Sequence, residues 1–171
     1  MSSSASLCAL CATRGKTCCQ GGDRDIFITK GDLDRIKAFC AREDFYEFRR
    51  PTDPAYADND DDPVWSAFVF KSDGTRRVLK KTTTGCSFLK VDGCSLPLDI
   101  RPLVCRLYPY DYNSNGLYEK FAEGCPTGLL IAGQTLDKCL GMNPSDAQAW
   151  HQTLYAEIML EKEADEHRVN L

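Results

Sequence analysis

Eight of the ten cysteines in this 171-residue chain fall into two groups, and they are the residues whose type and spacing could do chemistry. Cysteines this dense either pair as disulfides or hold a soft metal centre. A tetrahedral site needs four deprotonated sulfurs at one point, so the groups could fill two sites, or one site with thiols to spare. The predicted metal ligands are Cys8, Cys11, Cys18, Cys19, Cys86, Cys94, Cys105 and Cys125.

The spacing of these cysteines leaves the metal open. Cys8 and Cys11 can place two sulfurs on one metal from a single turn, whereas the long gaps in the second group favour a site built by the fold. Zinc and iron–sulfur clusters both accept four cysteines. The compact ferredoxin pattern is absent, and so is the second Cys-x2-Cys knuckle of a zinc ribbon. The two histidines, His151 and His167, are predicted to be surface residues of a C-terminal helix, which argues against zinc-hydrolase chemistry.

Bulk properties predict a cytoplasmic protein. The first residues have no positively charged or apolar signal segment, and no apolar run approaches the ~18 residues that span a bilayer. Thiols stay reduced in the cytoplasm, which favours metal binding over disulfides. A secreted, disulfide-bonded protein remains the alternative. A net charge of −4 and a pI near 5.2 argue against nucleic acid as a partner, and no membrane partner is expected.

Two arginines flank one predicted ligand. Arg101 and Arg106 lie on either side of Cys105. Their guanidinium groups could donate hydrogen bonds to thiolate sulfur and offset the negative charge of a four-thiolate site. In that role the two arginines would bind the cofactor without being metal ligands. Alternatively, each could pair with a nearby acid such as Asp99 in a purely structural role.

The elements that position these residues suggest an α+β fold in one domain, residues 1–171, with a motif core at 8–126. We expect a small antiparallel sheet and two main helices, with the cysteine-rich loops tied together by metal. One helix is predicted from Asp32 to Arg49, and the other over about 143–167 with an apolar stripe. Residues 64–70 read as a strand that pairs with 76–81 through a turn at Gly74.

An acidic segment could be mistaken for a calcium loop. Asp58, Asp60 and Asp62 alternate as calcium ligands do, but Pro63 stands where that loop requires glycine. We therefore expect a solvated acidic loop.

The motifs resemble those of the YkgJ-type cysteine-cluster family, a zinc- or iron-chelating domain. The resemblance covers residues 8–126, about two-thirds of the chain. It rests on Cys8-x2-Cys11, the pair Cys18-Cys19, Cys86-Ser-Phe-Leu, Asp92-Gly93-Cys94, Arg101-Pro102, Cys105-Arg106-x-Tyr108-Pro109 and Gly124-Cys125-Pro126. The family commonly has fewer than the six residues found here between Cys11 and the cysteine pair. The resemblance implies a metal-chelating or iron–sulfur domain.

Three functions follow from these observations. The first is a protein that holds an iron–sulfur cluster, with a [4Fe–4S] cluster favoured. Such a protein would act in electron transfer or as accessory to a redox or modifying enzyme, which would be its protein partner. The second is a zinc-stapled structural or interaction module without redox chemistry. The third is a metal-dependent modifying enzyme, for which the sequence supplies no identifiable catalytic residues.

Overall fold

Helices and short antiparallel strands alternate along the chain in an α+β arrangement. The computed structural model describes residues 11, 19–20, 24–53, 61–121, 125 and 127–169. The helices are α1 (Lys30–Cys40), α2 (Pro63–Phe68), α3 (Leu103–Leu107), α4 (Leu136–Cys139) and α5 (Pro144–Val169), with a 3₁₀ turn at Thr127–Leu129. The strands are β1 (Tyr46–Arg49), β2 (Arg76–Leu79), β3 (Lys81–Thr82), β4 (Gly85–Cys86), β5 (Leu89–Lys90), β6 (Gly93–Cys94), β7 (Tyr110–Asn113) and β8 (Gly116–Phe121).

The strands pair as ribbons. In the described part of the chain they form four two-stranded antiparallel sheets, β1–β2, β3–β4, β5–β6 and β7–β8, where a single small sheet was expected. Three of these ribbons are hairpins of adjacent strands, whereas β1 and β2 lie on either side of α2. Phe27 adds an isolated antiparallel bridge to Val78 of β2.

Helix α1 begins at Lys30, slightly before the predicted start at Asp32, and ends before the predicted Arg49. Thr29 and Asp32 form a reciprocal capping box, in which each side chain accepts from the other's backbone N–H. The helix ends at Cys40 because Ala41 adopts a left-handed conformation, with φ of 50°. The prediction that it continues to Arg49 is wrong, since residues 46–49 form β1 and pair with β2.

The segment after the acidic loop is a helix and not a strand. The Asp62 side chain accepts a hydrogen bond from the backbone N–H of Trp65 at 3.0 Å, and Pro63 occupies the first turn. Both residues start helices readily, because the aspartate satisfies an N–H that has no partner inside the helix and proline fixes φ near the helical value. The prediction of a strand at 64–70, paired with 76–81, is therefore wrong.

The C-terminal helix is confirmed. Asn143 precedes α5, and its side chain accepts from the backbone N–H of Ser145 at 2.9 Å. Ala147, Leu154 and Ile158 of the predicted apolar stripe are buried. No helix among the described residues is both long and apolar enough to cross a membrane.

Two apolar cores hold these elements together. The C-terminal core packs α5 against α2 and α3 and comprises Phe27, Val69, Leu103, Leu107, Ala147, Leu154, Tyr155 and Ile158. The cysteine-side core packs α1 against the strands around β4 and comprises Ile28, Leu33, Ile36, Phe45, Leu79, Cys86, Phe88 and Leu96.

Candidate metal centre

The two cysteine groups meet at the backbone of Cys19 and Cys86. The N–H of Cys86 donates a hydrogen bond to the carbonyl oxygen of Cys19 at 2.9 Å. The next N–H along the strand, that of Ser87, donates to the carbonyl of Lys80 at 3.1 Å. Successive N–H groups of an extended chain point to opposite edges. Residues 85–87 therefore lie between the Cys19–Gln20 turn on one edge and the end of β2 on the other.

Gly85 makes this contact possible. Its φ is +131°, which side chains rarely adopt, and a Cβ added there would lie 2.7 Å from the carbonyl oxygen of Cys19. Only glycine satisfies both the backbone conformation and the close approach. Glycine at position 85 is therefore required for the first cysteine group to pack against the second.

Three predicted ligands share the cysteine-side core. Cys86 belongs to it and is 6% exposed, while Cys19 and Cys94 are half-buried and pack against its surface. Cys94 reaches this position through the β5–β6 hairpin, where it is paired with Leu89. Gly93 begins β6 after the turn of this hairpin, with a φ of +116°.

Cys105 is positioned by a buried carboxylate. It lies in α3, whose first N–H, that of Leu103, donates to both side-chain oxygens of Asp32 at 3.1 and 3.3 Å. Asp32 is fully buried and also accepts from Arg35 at 2.7 Å. Burial raises the pKa of Asp32, and the hydrogen bond from Arg35 opposes that effect. One carboxylate therefore fixes the start of α1 and the start of the helix that carries Cys105.

Arg101 and Arg106 bind backbone carbonyls between two predicted ligands. Nε of Arg101 donates to the carbonyl of Leu96 at 2.9 Å. Arg106, 8% exposed, donates from Nε to the carbonyl of Arg101 at 2.7 Å and from Nη2 to the carbonyl of Asp99 at 2.6 Å. Burial lowers the pKa of Arg106. Both guanidinium groups thus brace the chain between Cys94 and Cys105, and Arg106 meets Asp99 through its carbonyl and not its carboxylate.

The structure describes two of the four remaining cysteines of the two groups. Cys11 and Cys125 are half-buried. Cys8 and Cys18 lie outside the described residues. Outside the two groups, Cys40 packs against the cysteine-side core and Cys139 ends α4, both half-buried as free thiols.

The donor chemistry fits a soft metal, but the described residues alone do not complete a site. Among residues 11, 19–20, 24–53, 61–121, 125 and 127–169, no three His, Cys, Asp or Glu side chains lie together so that they could hold a metal ion. Cys86 lies in the cysteine-side core, and Cys19 and Cys94 pack against it. Cysteine sulfur is a soft donor that suits zinc or an iron–sulfur cluster.

Sequence reasoning missed a second polar cluster, in the C-terminal core. His151 is buried, against the expectation of a surface residue, and its Nε2 is 2.7 Å from the carbonyl oxygen of Asn113. The neighbouring Tyr155 donates its hydroxyl to the buried carboxylate of Asp62. Burial raises the pKa of Tyr155, and the bond to Asp62 adds to the effect. The position of His151, one residue from Trp150 on the inward side of α5, is the feature of the sequence that indicates its burial.

Family models, curated proteins and solved structures yield no match to this chain.

Proposed function

We propose that this chain binds a metal centre, an iron–sulfur cluster, through cysteines drawn from both groups, as in the YkgJ-type family that its motifs resemble. The observation that carries the proposal is the hydrogen bond from Cys86 to Cys19, which joins the first cysteine group to the second. Loops that contain clustered thiols gain order from metal binding, since a shared metal crosslinks them.

Three further features support a site at this place. The glycine requirement at position 85 serves the contact between the groups, because the atoms nearest to a Cβ added there belong to Cys19 and Gln20. Asp32 orients α3 and its Cys105. Arg106 and Arg101 donate hydrogen bonds to backbone carbonyls between Cys94 and Cys105 and so brace the segment that joins these two predicted ligands.

The ligands in this proposal are Cys8, Cys11, Cys18, Cys19, Cys86, Cys94, Cys105 and Cys125. A cluster bound there supplies one-electron transfer at a potential set by its surroundings. The chain's own contribution is to hold the thiols and to exclude water with the side chains of the cysteine-side core. The chain then acts in electron transfer, or as accessory to a redox or modifying enzyme.

The experiment that tests this function is anaerobic purification followed by iron, zinc and acid-labile sulfide analysis and an absorption spectrum. Iron with sulfide and a broad band near ~400 nm, as thiolate-bound clusters give, supports the proposal. Zinc alone without a visible band overturns the cluster and leaves the zinc-stapled module. Absence of both metals in protein reconstituted under reducing conditions overturns metal binding.

Variants assign the ligands. Cys19→Ser and Cys86→Ser should each lose most of the bound metal, because a serine hydroxyl is a poor ligand for a soft metal. Cys139→Ser is the matched control, since Cys139 is a half-buried thiol outside both groups, and it should keep the metal. Full metal content in both ligand variants would contradict the assignment.

A further inference from the structure

Strand β1 has one open edge. Its partner β2 is bonded on both sides, since Lys80 donates its N–H to the carbonyl of Phe45 next to β1 at 2.8 Å. On the other side, the carbonyl of Arg77 accepts from the N–H of Ile28 at 3.1 Å. In the described part of the chain, β1 pairs with β2 alone, and its residues are half-buried or exposed while those of β2 are all buried. An unpaired strand edge is a template for a further strand.

The register of β1 on β2 determines which main-chain groups face the open edge. Antiparallel strands alternate between hydrogen-bonded and non-hydrogen-bonded pairs. Phe45 forms a bonded pair with β2, so Glu47 and Arg49 also direct their N–H and carbonyl groups toward β2. The carbonyl of Tyr46 and both main-chain groups of Phe48 therefore point away from β2. Among the described residues, none forms a hydrogen bond with the main chain of Phe48.

The charges of β1 make this edge complementary to a second copy of itself. When two β1 strands pair antiparallel about Phe48, the Glu47 of each lies directly opposite the Arg49 of the other. Opposite charges at opposed positions stabilise paired strands, and like charges destabilise them. Registers centred on Glu47 or on Arg49 present the same edge but place two like charges opposite each other. Charge therefore selects the register centred on Phe48.

The groups that this register uses are open to a partner. The side chains of Glu47 and Arg49 are 33% and 41% exposed, and they form an ion pair within the chain. Phe48 is 41% exposed. The two Phe48 residues would exchange two main-chain hydrogen bonds, and by the same alternation the N–H of each Arg50 would donate to the carbonyl of the opposite Tyr46.

We propose that β1 is a self-association edge, at which a second copy of this chain adds its own β1 antiparallel about Phe48 to form a symmetric dimer. The occupant is a second copy because the order Glu47-Phe48-Arg49 is complementary to its own reverse. The contact is short, so the dimer is weak and reversible. It uses no metal ligand and is independent of the proposed function.

The test is sedimentation equilibrium under reducing conditions, over about 10 µM to 1 mM protein, a span that covers weak complexes. The wild-type mass should rise from 19.1 kDa toward twice that value. Glu47→Arg should weaken association about tenfold, because two attractive pairs become repulsive. Glu43→Arg is the matched control, since it makes the same change of charge at an exposed position outside β1, and it should keep the wild-type dimer.

A second pair of variants tests the main chain. Phe48→Pro removes the N–H that faces the open edge and no hydrogen bond to β2, and edge strands tolerate proline at such positions. It should abolish the dimer, whereas Phe48→Ala loses the ring, keeps the N–H and should weaken the dimer less. Circular dichroism checks that each variant is folded.

Two outcomes would overturn the inference. The first is a wild-type protein that stays monomeric up to about 1 mM, the upper end of the weak range. The second is a dimer that survives both Glu47→Arg and Phe48→Pro, because its contact would then lie on another surface. Neither outcome bears on metal binding, which the metal and sulfide analysis decides separately.

Discussion

Gly85 is the residue on which the contact between the two cysteine groups depends. Its positive φ and its approach to the Cys19 carbonyl exclude a side chain for two separate reasons, one local and one tertiary. Gly116 shares only the first, since its φ is +149° but nothing lies within 4 Å of an added Cβ. Alanine variants at Gly85 and Gly116 therefore separate the effect of backbone strain from the effect of losing the Cys19 contact.

Gly85→Ala should lower metal content at least severalfold, whereas Gly116→Ala should leave it near the wild-type level. Both variants should lose about 1 kcal/mol or more of stability, because alanine is strained at positive φ. Metal analysis and urea unfolding of both proteins check the prediction. Equal metal content in the two variants would show that the Cys19 contact is not needed for binding.

Among the elements, α1 and α3 are coupled through Asp32. The carboxylate accepts from Arg35 of α1 and from the first N–H of α3, and it is fully buried. A buried charge that loses part of its hydrogen bonding is strongly destabilising. The stability of both helices therefore depends on the Asp32 carboxylate. The sequence Thr29-x-x-Asp32 signals the capping box, while the bond to Leu103 is visible only in the tertiary structure.

Asp32→Asn should destabilise the protein by about 3 kcal/mol, because an amide offers only one acceptor atom where the carboxylate offers two, and Arg35 keeps only its ion pair with Glu157. The control is Asp34→Asn on the same helix, which removes an exposed ion pair with Lys30 and should cost less than about 0.5 kcal/mol. Chemical denaturation measures both. Similar losses in the two variants would contradict a special role for Asp32.

The bond between Tyr155 of α5 and Asp62 at the start of α2 gives a dependence on alkaline pH. The raised pKa of Tyr155 means that the folded protein keeps this proton at a pH where the unfolded chain, with a tyrosine pKa of about 10, releases it. The unfolded state then binds fewer protons than the folded state. Stability must therefore fall as pH rises above about 10.

Tyr155→Phe should reduce this alkaline loss of stability and should cost about 1–2 kcal/mol at neutral pH, because Asp62 loses its donor. The measurement is the free energy of unfolding between pH 8 and pH 11 (roughly, the range that brackets a tyrosine pKa). Tyr118→Phe, which removes an exposed hydroxyl, controls for the loss of a tyrosine as such. Identical pH slopes for wild type and Tyr155→Phe would refute the assignment.

At the scale of the whole molecule, the C-terminal core and the cysteine-side core differ in the elements that enclose them. The C-terminal core is closed by α5, whose apolar side chains pack on α2 and α3. The cysteine-side core is bounded by short two-residue strands and by half-buried cysteines. Short strands contribute few backbone hydrogen bonds, so under the proposed function this core would gain more from a crosslinking metal than the C-terminal core.

Metal removal under reducing conditions should therefore unfold the molecule unevenly. Amide hydrogen exchange should accelerate over residues 19–20 and 85–96, while the amides of α5 keep most of their protection. Mass spectrometry of peptides from the metal-loaded and metal-free protein measures this. Equal protection in both states, or a uniform loss along the chain, would contradict it, and so would identical thermal melts before and after verified metal removal.

What the sequence by itself determined was local. The apolar stripe predicted a helix over about 143–167, which is α5, and the expected combination of antiparallel strands with two main helices agrees with the observed α+β class. The cysteine grouping stays a prediction of metal binding. Each of these features depends on residues within a few positions of one another, where propensity and hydrogen bonding act directly.

The tertiary structure decided the features that depend on distant partners. Residues 46–49 form a strand because β2 pairs with them, although the first helix was predicted to extend to Arg49. Residues 63–68 form a helix because Asp62 caps it and α5 covers it, although their composition suits a strand. The docking of Cys19 on Cys86 needs the backbone of Gly85 at a particular place. Such contacts arise from packing between segments far apart in the chain, which no local pattern encodes.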